Sequence, residues 1–97
     1  MISTQTISLA SVVLQAEGNV VSDMNGEKVM LSIKSGKYYN LGTIGGEIWQ
    51  LIKSPIEIME VVNRLLKDYE IEQKVCEQDV LSFINHLNNE GLIQIVN

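Results

Sequence analysis

Apolar and polar residues alternate through much of the chain between residues 19 and 41, and this period of two predicts β-strands. Three antiparallel strands are predicted, at 19–24, 27–34 and 37–41. Asn25-Gly26 joins the first two strands, and both residues accept positive φ, so the pair is typical of a two-residue hairpin turn. Residues 1–18 alternate only weakly, and we expect a short strand or partial disorder there.

The Ser35-Gly36 turn decides which side chains of the third strand face the core. The second strand carries its branched apolar residues on one face: Val29, Leu31 and Ile33. A three-residue loop pairs this face with Tyr39 and Leu41 and turns Tyr38 outward, whereas a two-residue loop buries Asn40 instead. Because burying an unpaired amide costs about 1–3 kcal/mol, we predict the three-residue loop.

Beyond residue 42 the apolar residues recur every three or four positions, which predicts helices. The three predicted helices span 43–53, 54–68 and 73–90. Thr43 is the predicted N-cap of the first helix. Ser54, Pro55 and Glu57 together form a capping-box signal for the second. Gly91 is suited to the left-handed residue that ends the third helix.

A run of strands followed by a run of helices predicts an α+β fold. We expect a winged-helix-like arrangement, in which a three-stranded antiparallel sheet is followed by three helices. Residues 92–96 are apolar enough to add a short closing strand. The domain is predicted to cover 19–97, with 1–18 as an N-terminal segment.

Composition narrows the class of protein. At 97 residues one domain is the default, and 45% hydrophobic content favours a packed globule. A net charge of −5 disfavours nucleic acid, which attracts basic surfaces. The apolar runs are too short to span a membrane, and the first 13 residues contain no Lys or Arg, unlike a secretory signal. We therefore expect a cytoplasmic protein.

Residues that could carry chemistry are few. A single cysteine, Cys76, and a single histidine, His86, exclude an internal disulfide and a Cys/His zinc site within one chain. The two lie ten residues apart on one predicted helix, about 15 Å along its axis, which is too far for a nucleophile and its base. Enzyme motifs are absent. We expect neither catalysis nor a cofactor.

An edge strand is the better candidate for function. If the strands pair in sequence order, 37–41 lies at the edge of the sheet, and one side of its main chain is free. A peptide can add to such an edge as a further strand. The third helix, with Phe83 on its apolar face, would supply the wall of an adjacent pocket, and Asp79 lies at the rim of that face.

The chain also resembles the PqqD-like family, and most of all the stand-alone leader-binding proteins of lasso-peptide biosynthesis. The resemblance covers roughly 19–96 and rests on the ordered spacing of several features. These are the Leu31 strand, Gly36, Tyr38-Tyr39-x-Leu41, Gly45 with Ile48-Trp49, Tyr69, Cys76-x-x-Asp79-Val80 and Gly91-Leu92. Residues 1–18 have no clear counterpart in the family.

The resemblance implies a RiPP recognition element that does not catalyse a reaction. It implies that the leader segment of a ribosomally made precursor docks as an antiparallel strand between the third strand and the third helix. The peptide-binding residues it implies are Lys37, Tyr38, Tyr39, Asn40, Leu41, Cys76, Asp79, Val80, Phe83 and Leu87. Its implied partners are a cysteine-protease-like leader peptidase and a lasso cyclase, with no nucleic acid and no membrane.

Two other classes of function were weighed. A winged-helix DNA-binding regulator needs cations on its recognition helix, yet 73–90 carries Lys74 against three acidic residues, Glu77, Asp79 and Glu90. An enzyme that uses Cys76 as nucleophile needs a base that the sequence does not place nearby.

Overall fold

The computed structural model describes residues 7–96, which form two small sheets and three helices. The elements in chain order are β1 (Val12–Gln15), β2 (Asn19–Met24), β3 (Glu27–Ser32), β4 (Tyr38–Leu41), α1 (Gly42–Leu51), β5 (Ile56–Glu57), α2 (Ile58–Asp68), α3 (Gln73–Asn89) and β6 (Ile93–Ile95). Strands β2, β3 and β4 form one antiparallel sheet in sequence order, which confirms the predicted α+β class.

A second sheet joins distant parts of the chain. Its order is β5-β1-β6, so the strand from the N-terminal segment lies between a two-residue strand before α2 and the closing strand after α3. Val13 on β1 is fully buried and pairs with Ile56 on one side and Ile95 on the other. This second sheet makes the likeness to a winged helix approximate.

The hairpin between β2 and β3 forms as the sequence predicts. Asn25 has φ 56° and Gly26 has φ 83°, so both central residues of the turn adopt the left-handed conformation that Asn-Gly favours. The six residues of β2 pair with the six residues of β3 without a slip.

The predicted register between β3 and β4 is wrong by one residue. Met30 pairs with Tyr39 and Leu31 pairs with Tyr38, because the intervening turn holds four residues, Ile33–Gly36. The face of β3 that packs inward therefore carries Met30 and Ser32 rather than the more apolar set predicted, and Ile33 is 65% exposed.

The inward and outward residues of β4 are nevertheless as predicted. Leu41 is buried, Tyr39 is half-buried, and Tyr38 is 73% exposed. A one-residue slip in β3 exchanges the faces of β3 but leaves those of β4 in place, because the turn lengthened on the β3 side. The buried Ser32 hydroxyl accepts a hydrogen bond from the Ser35 main-chain N–H at 3.4 Å.

Helix α1 lies unusually close to β3. A Cβ atom at Gly46 would stand 2.8 Å from Cγ of Lys28, and 3.1 Å from its Cβ. The aliphatic stem of Lys28 thus packs directly on the helix backbone, while its ammonium group pairs with Asp23 at 2.8 Å. Glycine at this position sets the distance between helix and sheet.

Helix α1 begins without the predicted N-cap. It starts at Gly42, before Thr43, and has no side-chain cap. Gly42 adopts φ 70° and its N–H donates to Oδ1 of Asn40 at 3.0 Å, so the chain turns from strand into helix within one residue.

The start of α2 also differs from its sequence signal. The predicted capping box consisted of Ser54, Pro55 and Glu57, but the helix begins at Ile58 with no side-chain cap. The N–H groups of Ile58 and Met59 donate instead to the carbonyls of Ser11 and Leu9, both at 2.9 Å. The N-terminal segment thus supplies main-chain acceptors that satisfy the first turn, and the residues before the helix are used as strand β5.

Helix α3 ends as predicted. Gly91 has φ 74°, its N–H donates to the Asn88 carbonyl at 3.0 Å, and the Leu92 N–H donates to the Leu87 carbonyl at 2.9 Å. These two hydrogen bonds together form a Schellman motif, which leads directly into β6.

The core lies between the helices and the two sheets. All three helices contribute through the apolar faces that the sequence spacing predicted. The fully buried larger side chains are Met30, Ile52, Ile58, Leu65, Ile84, Leu87, Leu92, Val13, Val61, Val62, Val80 and Cys76.

We expect Gly46→Ala to destabilise the fold although alanine favours helix. The added methyl overlaps Lys28, and overpacking of this kind costs about 1–3 kcal/mol. The gain in helix propensity is about 1 kcal/mol, so the net loss should be about 1 kcal/mol, measured by urea unfolding. In a Lys28→Ala background, which removes Cγ and Cδ but keeps the Cβ at 3.1 Å, the loss should be smaller. A more stable Gly46→Ala protein in the wild-type background would contradict the packing argument.

Candidate functional site

The free edge of β4 is the first component of the site. Among residues 7–96, β4 pairs with β3 on one side and with no strand on the other. The Ser32 N–H donates to the Lys37 carbonyl at 2.9 Å, so the main-chain carbonyl of Lys37 points towards β3. The direction of the main-chain groups alternates along an antiparallel strand. The N–H and C=O groups of Tyr39 therefore also point towards β3, whereas those of Tyr38 and Asn40 point to the free side of β4.

An apolar cavity of about 250 Å³ opens beside the end of this strand. It lies between the first turns of α1 and the N-terminal half of α3, and α2 forms part of its floor. Its lining residues are Leu41, Ile44, Gly45, Ile48, Leu65, Ile71, Cys76, Asp79, Val80 and Phe83. The free edge of β4 and the open cavity therefore adjoin at Leu41, the last residue of β4.

Phe83 forms a wall of the cavity by resting on α1. A Cβ atom at Gly45 would lie 3.0 Å from both Cε1 and Cζ of the ring. The half-buried ring can take this position because residue 45 has no side chain. Gly45 and Phe83 together fix how closely α1 and α3 approach at the mouth of the cavity.

One charged side chain, Asp79, lines the cavity, and it is exposed. Below it, Cys76 is only 2% exposed. Burial raises the pKa of the Cys76 thiol above its ordinary value, and the nearby carboxylates of Asp79 and Glu77 raise it further. The thiol is therefore protonated at neutral pH and is a small apolar floor residue, not an activated nucleophile.

A polar contact ties β4 to the far end of α3. The Tyr39 hydroxyl donates to Oε1 of Glu90 at 2.8 Å, and Nζ of Lys37 lies 3.6 Å from the same oxygen. The hydrogen bond from Tyr39 and the charge of Lys37 lower the pKa of the Glu90 carboxyl. The same contact, with partial burial, raises the pKa of the Tyr39 hydroxyl.

The residues proposed from the sequence fall into three groups. Those that line the cavity are Leu41, Cys76, Asp79, Val80 and Phe83. Those on or beside the free strand are Lys37, Tyr38, Tyr39 and Asn40. Leu87 belongs to neither group, because it is 1% exposed in the core and does not line the cavity.

Sequence reasoning missed half of the cavity wall. The missed residues are Ile44, Gly45, Ile48, Leu65 and Ile71. Their three- and four-residue spacing along the helices predicts burial and does not distinguish a cavity wall from the core. Ile44, at the N-terminal end of α1, is 39% exposed at the cavity mouth.

Other kinds of site find no support in the part of the chain that the structure describes. No group of three or more His, Cys, Asp or Glu side chains within residues 7–96 could hold a metal ion. No helix over the same residues is long and apolar enough to cross a membrane.

The sequence matches the family model of coenzyme PQQ synthesis protein D (PqqD) over residues 27–93. The chain belongs to the PqqD family. The matched stretch runs from the start of β3 to β6 and includes both the free edge of β4 and every residue that lines the cavity. No curated protein matches the sequence.

Two solved structures share the fold of this PqqD-family chain. TbiB1, determined in complex with the TbiA(beta) leader peptide, is 25% identical, with a TM-score of 0.75 over 84% of this chain and 94% of TbiB1. A lasso peptide synthetase B1 complexed with its leader peptide is 22% identical, with a TM-score of 0.74 over 84% of this chain and 96% of that protein. At 22% identity, the second comparison shows only that the two proteins share a fold.

We expect Gly45→Ala to move the Phe83 ring while leaving the fold intact. The methyl meets the far edge of a side chain that can rotate, at 3.0 Å, and lies 3.4 Å from Cβ of Leu41, an ordinary contact, so stability should change by less than about 1 kcal/mol. Phe83 is the single phenylalanine of the chain, and its ring signals can be followed by NMR without ambiguity. The indole signal of the buried Trp49 is the internal control. Unchanged ring signals would mean that Gly45 does not position Phe83.

Proposed function

We propose that this chain binds the leader segment of a ribosomally synthesised precursor peptide and presents it to a separate leader peptidase in lasso-peptide biosynthesis. The leader adds to β4 as an antiparallel strand and lies against α3. The observation that carries the proposal is the free edge of β4 beside an open apolar cavity. TbiB1, a structural neighbour at 25% identity, was determined with a leader peptide bound, which supports the same class of ligand here.

The strand edge gives the peptide its direction and register. Tyr38 and Asn40 offer main-chain donors and acceptors to an incoming strand, and each hydrogen bond contributes about 1 kcal/mol net. Such bonds do not distinguish one peptide sequence from another. The edge accordingly aligns a leader, and other contacts must select it.

The cavity supplies affinity and selectivity. Its lining is apolar apart from Asp79, so an apolar leader side chain placed against Phe83 and Val80 would leave water at little cost. Burial contributes about 25 cal/mol per Å² of apolar surface, and ordering a flexible leader costs several kcal/mol. Affinity in the micromolar to nanomolar range, about 8–12 kcal/mol, is expected for such a site.

Charge favours leaders with a basic residue next to the apolar one. Asp79 is exposed at the rim, and Glu77, two residues earlier on α3, is close enough to act on the same Cys76 thiol. With a net charge of −5 the chain attracts cationic peptides at long range. A lysine or arginine beside the anchoring residue would meet Asp79 while its aliphatic stem covers the cavity mouth.

The chemistry is left to partner enzymes. The protonated Cys76 thiol lies at the cavity floor, so the chain acts as a recognition protein and not as an enzyme. A cysteine-protease-like peptidase removes the leader, and a lasso cyclase acts afterwards. Holding the leader raises the local concentration of its scissile segment at the peptidase, which is the contribution of this chain to the rate.

DNA binding is disfavoured by the surface of α3. Lys74 is the one lysine on this helix, against the acidic residues Glu77 and Asp79 on the helix and Glu90 at its end. A recognition helix needs cations to meet phosphates. No observation favours this alternative.

Phe83→Ala should weaken leader binding about three- to tenfold. Full burial of a phenylalanine side chain contributes about 1.5–3 kcal/mol, and about half of that can be gained on binding because the ring is already half-buried in the free chain. The probe is a fluorescein-labelled synthetic leader peptide, taken from a precursor gene sought next to the gene for this chain and titrated by fluorescence anisotropy. Leu81→Ala is the matched control, since Leu81 is also a half-buried apolar residue of α3 and lies outside the cavity.

Circular dichroism establishes that both variants fold. Absence of binding by the wild type at high micromolar concentration would refute leader recognition by the chain alone. Equal losses in Phe83→Ala and Leu81→Ala would place the binding site elsewhere.

Strand addition predicts a period of two in the leader. Replacing single amides of the leader by esters removes one N–H donor at a time, and a lost hydrogen bond should weaken binding about fivefold. Only alternate positions of the paired segment should respond, because successive N–H groups of a strand point to opposite sides. A uniform effect, or a period near 3.6, would exclude a strand and indicate a helical leader.

A further inference from the structure

The contact between Tyr39 and Glu90 joins two elements that are 51 residues apart in sequence. Tyr39 belongs to the strand with the free edge, and Glu90 is the C-cap of α3. Lys37, the residue before β4, reaches the same carboxylate oxygen at 3.6 Å. The edge strand and the residue before it therefore hold one carboxylate at the end of the helix that faces them.

Glu90 is an unfavourable residue for its place in the helix. The C-terminal end of a helix carries partial negative charge, which favours cations and disfavours a carboxylate. Its carboxylate is stabilised instead by the Tyr39 hydroxyl and by Lys37, and these partners lower the pKa of Glu90 despite the helix dipole. Local helix stability does not explain the acid, whereas a bond to β4 does.

The spacing between β4 and α3 is fixed at two points. At one end, Leu41 and the Phe83 ring meet Gly45 of α1. At the other end, Tyr39 binds Glu90. The free main-chain groups of Asn40 lie between these points, and those of Tyr38 lie between Tyr39 and Lys37, the second residue that reaches Glu90.

We propose that Tyr39 and Glu90 are a positioning pair, which holds the free edge of β4 at the distance from α3 that a bound peptide strand requires. The proposal rests on the proposed function. With the pair intact, a peptide can form main-chain bonds to β4 and place a side chain in the cavity at the same time. Without it, the start of β4 is held by β3 alone, and binding must first bring the edge back into place.

The pair should act over a defined pH range. The charged and titratable groups around Glu90 are Tyr39 from β4, Lys37 just before it, His86 from α3, and Lys34 and Glu17 from the turns that share a surface cavity with it. Since the pKa of Glu90 is lowered on folding, its contribution is complete above the ordinary carboxyl range and is lost as pH falls through the lowered value. The raised pKa of Tyr39 ends the contribution on the alkaline side.

A double-mutant cycle on the labelled leader described above tests the pair. Tyr39→Phe and Glu90→Ala should each raise Kd about three- to tenfold, and the double variant should be no weaker than the worse single one. Glu90→Gln keeps an acceptor for the hydroxyl, so it should restore part of the affinity. Glu60→Ala, which removes a carboxylate bound to Arg64 on α2, is the control and should bind like the wild type.

The pH profile and hydrogen exchange separate positioning from general destabilisation. The wild-type Kd should rise towards that of Glu90→Gln as the Glu90 carboxyl is protonated, with no corresponding rise in Glu90→Gln. In the free protein, the Ser32 and Tyr39 amides should exchange faster in Tyr39→Phe and Glu90→Ala, whereas core amides of α2 should not.

Three results would overturn the proposal. Single variants that bind within 1.5-fold of the wild type, or that multiply in the double variant, would mean that the two residues do not act together. Tighter binding by the variants would mean that the pair closes the site. No leader binding by the wild type would instead overturn the proposed function, and the hydrogen-exchange result would still report whether the pair holds β4.

Discussion

Two adjacent glycines on α1 determine how the rest of the structure packs. Gly46 allows the stem of Lys28 to lie on the helix backbone, and so sets the distance between α1 and the sheet. Gly45, the preceding residue of the same turn, allows the Phe83 ring to pack against the α1 backbone, and so sets the distance between α1 and α3. Because one turn of α1 contacts both the sheet and α3, this turn also determines the position of the β4 edge relative to α3.

Packing between residues that are distant in sequence explains which features could be predicted from the sequence and which could not. Features that depend on a few adjacent residues were predictable: the Asn25-Gly26 turn requires positive φ at both residues, and Gly91 ends α3 for the same reason. The register of β4 was not predictable, because it depends on the burial of Met30 in the core, which the alternation of β3 does not reveal. Burial at this position is decided by a partner that is distant in sequence.

The predicted start of α2 was wrong for a related reason. Its local signal was complete, but the carbonyls of Leu9 and Ser11 satisfy the first N–H groups of the helix more directly than the Ser54 side chain could. The candidate site shows the same division. Phe83 and the β4 edge could be found from periodicity and strand order, whereas Leu65 and Ile71 reach the cavity only through the tertiary arrangement of α2 and the loop after it.

The properties of the cavity fit a protein that completes its packing with a partner. A 97-residue chain has little stability to spare, yet it keeps an open apolar space of about 250 Å³ and leaves Ile44 39% exposed at its mouth. Alanine at residue 45 would improve helix propensity, but its methyl group would lie 3.0 Å from the Phe83 ring. The glycine instead keeps Phe83 against α1 and the space beside it open. The unfilled cavity and the unpaired strand edge are both costs to the isolated chain, and one bound peptide strand would remove them together.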